Sequence, residues 1–236
     1  MRKGLLIFFT LLYAFTNAQV RIGLQGGYNS AHISPRHSSS VIFRNESSSI
    51  SYDYTTSSFR GFQAGAVAEL TLAHDWFLRS GLLVDGKGTR LKKIGFSDTS
   101  TRFIELLYIE VPVSLVHNWK IGERLDAFGG VGLYAARAFR GVEKGEGNTP
   151  GISYYLYNRV KFTSRNEENG SVPTRIIPID YGATAIAGLE WQRIQLLVSY
   201  FQGFQRVFPK SLIFQEKYTN RVLGFSAVYL FNIKRK

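Results

Sequence analysis

An eight-stranded antiparallel up-and-down transmembrane β-barrel, all-β, with long extracellular loops and short periplasmic turns, is the fold this sequence predicts. Three observations predict it. Apolar residues recur at every second position in several stretches, the N-terminus has the form of a secretory signal, and the gaps between stretches alternate between short and long.

The export signal comes first in the chain. Arg2 and Lys3 precede an apolar run from Leu5 to Phe15, and Thr16, Asn17 and Ala18 follow it. Thr16 and Ala18 supply the small residues required ahead of cleavage before Gln19. The apolar run is shorter than the ~20 residues a membrane helix needs. Residues 1–18 are therefore expected to be a signal peptide, 19–231 the barrel and 232–236 a short basic periplasmic tail. No later uncharged apolar stretch is long enough for a helix to cross a bilayer, whereas a barrel strand crosses with ~9–11 residues.

Val20 to Asn29 is the first expected strand, with a weak alternation. Phe62 to Leu70 is clearer: Phe62, Ala64, Ala66, Ala68 and Leu70 share one face, and Gln63, Gly65, Val67 and Glu69 the other. Trp76 to Lys87 places Trp76, Leu78, Leu82 and Val84 opposite Arg79, Gly81, Asp85 and Lys87. Leu107, Ile109, Val111, Val113 and Leu115 alternate with Tyr108, Glu110, Pro112 and Ser114. Arg124 to Ala136 is weaker. Asp180 to Trp191 again separates Tyr181, Ala183, Ala185, Ala187, Leu189 and Trp191 from Asp180, Thr184, Gly188 and Glu190. Ile194 to Phe204 and Arg221 to Phe231 bring the number to eight, which is even and closable.

Short connections at Ala73 to Asp75, Asn118 to Glu123 and Gln192–Arg193 alternate with long ones after Asn29, at Thr89 to Arg102, Gly141 to Pro178 and Gln205 to Thr219. A soluble β-sandwich also alternates, but it has no reason to segregate loop length by end, and its outward face is polar. Here the uniform face is apolar and carries Trp76, Tyr181, Trp191, Tyr229 and Phe231 near strand ends, as the interface girdles of a barrel do. The other face holds Arg21, Glu69, Arg79, Asp85, Lys87, Glu110, Asp126, Asp180 and Glu190.

Composition removes several functions. With no Cys there is no disulfide framework, thiolate metal site, thiol nucleophile or lipidated cysteine. The net charge of +12 fits nucleic acid or anionic lipid. Export excludes the nucleic acid and leaves outer-membrane lipid and lipopolysaccharide as the expected partners.

Gly61-Phe62-Gln63-Ala64-Gly65, Gly81-Leu82-Leu83 with Lys87-Gly88, and Tyr108-Ile109-Glu110-Val111-Pro112-Val113 resemble the PorT-like outer-membrane β-barrel family of Bacteroidota. Gly129-Gly130 before Tyr134, Asp180-Tyr181-Gly182, Gly188-Leu189-Glu190, Tyr200-Phe201-Gln202-Gly203 and Tyr229-Leu230-Phe231 continue the resemblance over nearly all of 19–231. It implies an outer-membrane barrel and handling by the barrel-assembly machinery during biogenesis. It also implies secretion components of the type IX kind as partners. The chain departs from the family in its basic tail after Phe231 and in its large third loop.

No cofactor or metal site is read from the sequence, and no Gly-x-Ser-x-Gly elbow is present. His32 and His37, near Glu46 and Asp53, fall on a Ser-rich loop with unspecific spacing, and His74 and His117 are equally isolated. Glu69, Arg79, Glu110 and Glu190 are expected to form a structural polar network in the lumen, at comparable depth near the short turns. Pro112, on the lumen parity, fits best at a bulge. Tyr154, Tyr155 and Tyr157 form an aromatic cluster in a piece from Ile152 to Phe162 that can rise as a hairpin and offer an interaction loop. The expected function is a structural or interaction role, accessory to secretion, without enzymatic activity. The alternative is an integral outer-membrane hydrolase or acyltransferase with its site at the loop rim.

Overall fold

The computed structural model describes residues 19–34, 39–45, 48–94, 99–149, 152–163, 174–209 and 217–231. The signal and tail segments, with His37 and Glu46, lie outside these. Every regular element among the described residues is a strand: β1 (Val20–Ser34), β2 (Ser39–Asn45), β3 (Ser48–Ala73), β4 (Trp76–Ile94), β5 (Thr99–Lys120), β6 (Leu125–Thr149), β7 (Ile152–Arg159), β8 (Lys161–Phe162), β9 (Arg175–Ile176), β10 (Ile179–Trp191), β11 (Ile194–Gly203) and β12 (Thr219–Phe231).

β1, β3, β4, β5, β6, β10, β11 and β12 form an antiparallel ring in sequence order, closed because β1 pairs with both β3 and β12. The register fixes its shape. Partners followed once round from Ile22 run through Ala68, Ser80, Val113, Leu133, Ala183, Gln202 and Arg221 to His32. That return lies ten residues further along β1. Such a stagger on eight strands tilts them by roughly 35–45° and leaves a bore that side chains can fill.

The eight predicted strands are the eight ring strands, on the predicted faces. Leu82, Val131 and Leu196 on the outside are 59%, 68% and 61% exposed, whereas Glu69, Lys87 and Asp180 inside are 1%, 0% and 2% exposed. This inverts the arrangement of a protein in water and requires an apolar solvent around the wall. Trp76, Trp119 and Trp191 all lie outward beside short turns, and His117 stands between the Trp76 and Trp119 rings at 4.7 and 4.8 Å.

The short turns share one end. His74–Asp75 joins Ala73 to Trp76, and Gln192–Arg193 joins Trp191 to Ile194. Gln192 has a φ of 58°, the positive value that two-residue hairpins demand. Between Lys120 and Leu125 the Ile121 and Gly122 N–H groups both donate to the Leu125 carbonyl, at 3.1 and 3.0 Å.

Two expectations change. The long connections are not mainly loop. β3, β4, β5 and β6 run on past the barrel, flanked by β2 on one side and β7 on the other, as a projecting sheet in the order β2-β3-β4-β5-β6-β7. Outside hydrocarbon a strand has no need of an apolar face, so alternation stops marking it. Pro112 does not sit at a bulge. Its pairing with Tyr134 of β6 is regular, while the ladder to β4 lapses between Ser80/Val113 and Leu83/Glu110 without a change of register, and Ser80 Oγ donates to the Pro112 carbonyl at 2.9 Å. The bulge in the β5–β6 ladder lies elsewhere. Leu107 pairs with Arg140 but Tyr108 with Ala138, leaving Phe139 as the extra residue.

The wall assignment makes a direct prediction at Ala185, which faces outward. Ala185→Arg should lower the stability of the barrel in lipid by about 2–4 kcal/mol if the site lies near the midplane, and Ala185→Leu should leave it unchanged, both read from urea titrations of the refolded protein. Equal stability of the two variants would contradict a lipid-facing β10.

Candidate functional site

Inward-facing polar residues separate into two networks along the bore. Near the short turns, Arg21 of β1, Glu69 of β3, Arg79 of β4, Glu190 of β10 and Gln195 of β11 converge. Arg21 bonds Glu190 Oε1 at 2.5 Å and forms an ion pair with Glu69 Oε2 at 2.6 Å, and Arg79 Nη1 bonds Glu69 Oε1 at 2.7 Å. Gln195 accepts from Arg79 at 2.6 Å and donates to Glu190 and Glu69 at 2.7 and 3.0 Å. Two guanidiniums meet two carboxylates, so the layer is neutral, and Gln25 extends it through Arg79 to Gln63.

Nearer the long loops, Lys87 is fully buried and faces three carboxylates: Glu110 at 2.6 Å, Asp85 at 3.5 Å and Asp180 at 3.6 Å. Asn29 donates to Asp85, while Asn220 and the Tyr134 hydroxyl donate to Asp180 at 3.0 and 3.1 Å. The ammonium also lies 4.7 Å from the Tyr134 ring centroid and 5.1 Å from that of Tyr108. Charges this far from water hold only when paired and hydrogen-bonded.

Glu69, Arg79 and Glu190 are thus together, but Glu110 is not with them. Alternation gives a residue's face and not its height. Glu110 stands ten residues short of Lys120, where β5 reaches the short-turn end, while Glu69, Arg79 and Glu190 stand within about four residues of theirs. Lys87, Asp85 and Asp180 were legible as inward charges, but their meeting with Glu110 depends on the stagger. Gln25 and Gln195 carried no signal beyond parity.

Between the two layers lies a cavity of about 20 Å³ beside Arg79, Ser114, Thr184, Ser199 and Phe201, room for about one water. Above the Lys87 layer an apolar plug closes the bore. Val160, Ile176, Val207, Phe208 and Tyr218 from the connections pack on Ile33, Ile104, Leu106 and Val222 of the wall. Backbone bonds from Ile177 N to Val207 O at 2.9 Å and from Val207 N to Tyr218 O at 2.8 Å tie the plug together. The plug residues had no periodic signal in the sequence.

The exposed part of the molecule is the projecting sheet. β7 pairs with β6 from Val142↔Arg159 to Thr149↔Ile152. The Tyr154 ring lies over Gly147, where any Cβ would overlap it, and Leu156 lies over Gly145. Tyr154 is thereby partly covered at 39% exposure, while Tyr155 and Tyr157 are 86% and 66% exposed. His32 is half-buried on the outer face of β1, opposite Arg221, and His74 is exposed in its turn. Among the described residues no group of three or more His, Asp or Glu is placed to hold a metal.

A family model described as outer membrane protein beta-barrel domain matches residues 16–208. Among solved structures, the chain is similar to Ail, the attachment invasion locus protein of Yersinia pestis, at 14% identity over 90% of this chain and 99% of that one, with a TM-score of 0.34. It is also similar to Neisserial surface protein A, at 12% identity over 89% and 97% of the two chains, with a TM-score of 0.37. No curated protein matches the chain by sequence.

The Lys87 layer yields a test of how the lumen is held. Lys87→Met leaves three buried carboxylates facing one another and should cost about 3–5 kcal/mol in urea titrations of the refolded barrel. Adding Glu110→Gln to it should recover part of that loss. A loss below about 1 kcal/mol for Lys87→Met would mean the layer is not a paired network.

Proposed function

The chain belongs to the outer membrane protein beta-barrel domain family and is an outer-membrane β-barrel protein, and from that premise we propose that the barrel anchors a projecting sheet whose edge captures a protein partner. One observation carries the reading: among the described residues β7 is an edge strand whose ladder runs to β6 alone, and it exposes Tyr155 and Tyr157. Edges left open in this way are normally blunted, because they template pairing with another chain. Strand addition supplies main-chain hydrogen bonds, and exposed tyrosines supply the amphipathic anchors that interfaces favour. The partner is an extended segment of another polypeptide, and the barrel acts as a structural and interaction protein.

The finer parts of the reading rest on sequence alone. Residues 1–18 direct export, and the barrel-assembly machinery inserts the chain. The PorT-like motifs suggest that the captured partner belongs to protein secretion of the type IX kind. The lumen network of Glu69, Arg79 and Glu190, with Glu110 in the Lys87 layer, serves to fill and hold the bore.

A photo-crosslinking residue placed at Tyr155 in living cells should give a discrete adduct, lost when Tyr157→Ser is added. His32→Ala with His37→Ala should leave both the adduct and any deletion phenotype intact. Absence of an adduct would contradict the capture reading. Loss of phenotype in the double histidine variant, with the barrel still migrating as a folded species before boiling, would favour the rim enzyme instead.

A further inference from the structure

On three ring strands the outward apolar run stops at an arginine at the long-loop end. Ala66, Ala64 and Phe62 lead to Arg60 on β3; Val131, Leu133 and Ala135 lead to Arg137 on β6; Phe225 and Leu223 lead to Arg221 on β12. At the short-turn end the outward positions carry tryptophan instead. The wall thus meets chemically different interfaces at its two ends.

On β6 the bulge enlarges this feature. In a regular strand Arg140 would share the inward parity of Ala136 and Ala138, which are buried. The extra residue at Phe139 turns Arg140 outward, so that Arg137, Phe139 and Arg140 are all exposed on one face, with Phe139 at 51%. Re-aiming a side chain is what bulges do. Neither Arg137 nor Arg140 forms an ion pair with another described residue, and the nearby acid on β5, Glu105, is bonded to Lys144 at 3.0 and 3.1 Å.

We propose that the β6 bulge builds a clamp for a phosphorylated glycolipid of the outer leaflet. Arg137 and Arg140 hold the phosphate, and Phe139, between them in height, packs against the glycolipid at the level where headgroup meets acyl chain. Guanidiniums suit the purpose because their paired N–H donors match phosphate oxygens, and a ring at the boundary of the apolar band sits at the level where headgroup meets chain. The inference rests on the outer-membrane placement and is independent of what β7 binds.

The test uses the whole chain refolded in detergent micelles, with hexa-acyl diphosphoryl lipid A as probe and binding counted by native mass spectrometry. Removal of both phosphates from the probe should weaken binding about tenfold or more, a comparison that needs no variant. Arg137→Gln with Arg140→Gln should weaken binding of the intact probe to a similar degree, and Arg124→Gln, at the short-turn end, should not change it. Equal binding of the two probes, or no effect of the double variant, would overturn the clamp. Displacement by an equal concentration of inorganic phosphate would also overturn it, since the site would then recognise no lipid. A barrel that remains heat-modifiable while failing these tests keeps its outer-membrane assignment.

Discussion

Closure of the strand ring is the constraint on which the rest of this molecule depends. In hydrocarbon no water is available to satisfy an unpaired N–H or C=O, and each such group costs several kcal/mol. β1 meets this demand by pairing along one edge with β3 and along the other with β12. The ten-residue stagger that closure imposes sets the strand tilt, and tilt with strand number sets the bore. An eight-stranded bore is narrow enough to be filled by side chains. Filling it with Glu69, Arg79, Lys87 and Asp180, instead of with hydrocarbon alone, follows from a wall that has given its apolar face to lipid.

That inversion explains why charges absent from ordinary protein cores are abundant here. The layer near the short turns balances two arginines against two glutamates and threads Gln195 between them. The layer near the long loops sets one ammonium among three carboxylates and adds Asn29, Asn220 and Tyr134 as donors. Both layers draw their members from several strands, so the ion pairs that join different strands also fix register. A one-residue slip of any ring strand would send its charges into lipid and its leucines into the bore.

The period of two made the eight strands and their faces legible, because hydrocarbon outside and polar atoms inside impose opposite chemistry on alternate residues. Ala185 and Thr184 were assigned to the correct sides for that reason. Depth was not legible, since it depends on a stagger that only pairing reveals, and Glu110 was consequently grouped with the wrong layer. Strands beyond the membrane escaped notice because water accepts either face. This hid the outer half of β6 and all of β2, although the tyrosine cluster of β7 remained visible. The bulge at Phe139 left no mark in the sequence beyond two arginines separated by an odd spacing. The plug residues Val207 and Phe208 lie in a connection whose apolar content has no period.

The two ends of the ring then serve different purposes. Short turns and tryptophans finish the wall economically at one end, while at the other the strands that continue carry an exposed edge and a cluster of outward cations. All of this presupposes that β12 returns to β1. Because the chain has no cysteine of its own, the closure can be tested with engineered pairs in intact outer membranes. Gly26 and Ala227 are direct register partners across the β1–β12 seam, and both face lipid. With Gly26→Cys and Ala227→Cys, a membrane-permeant oxidant should produce an intramolecular disulfide, seen as a mobility shift reversed by reductant. The pair Gly26→Cys and Leu223→Cys, four residues out of register, should not cross-link. Failure of the first pair in folded protein, or equal cross-linking of both, would contradict a closed eight-stranded ring in this register.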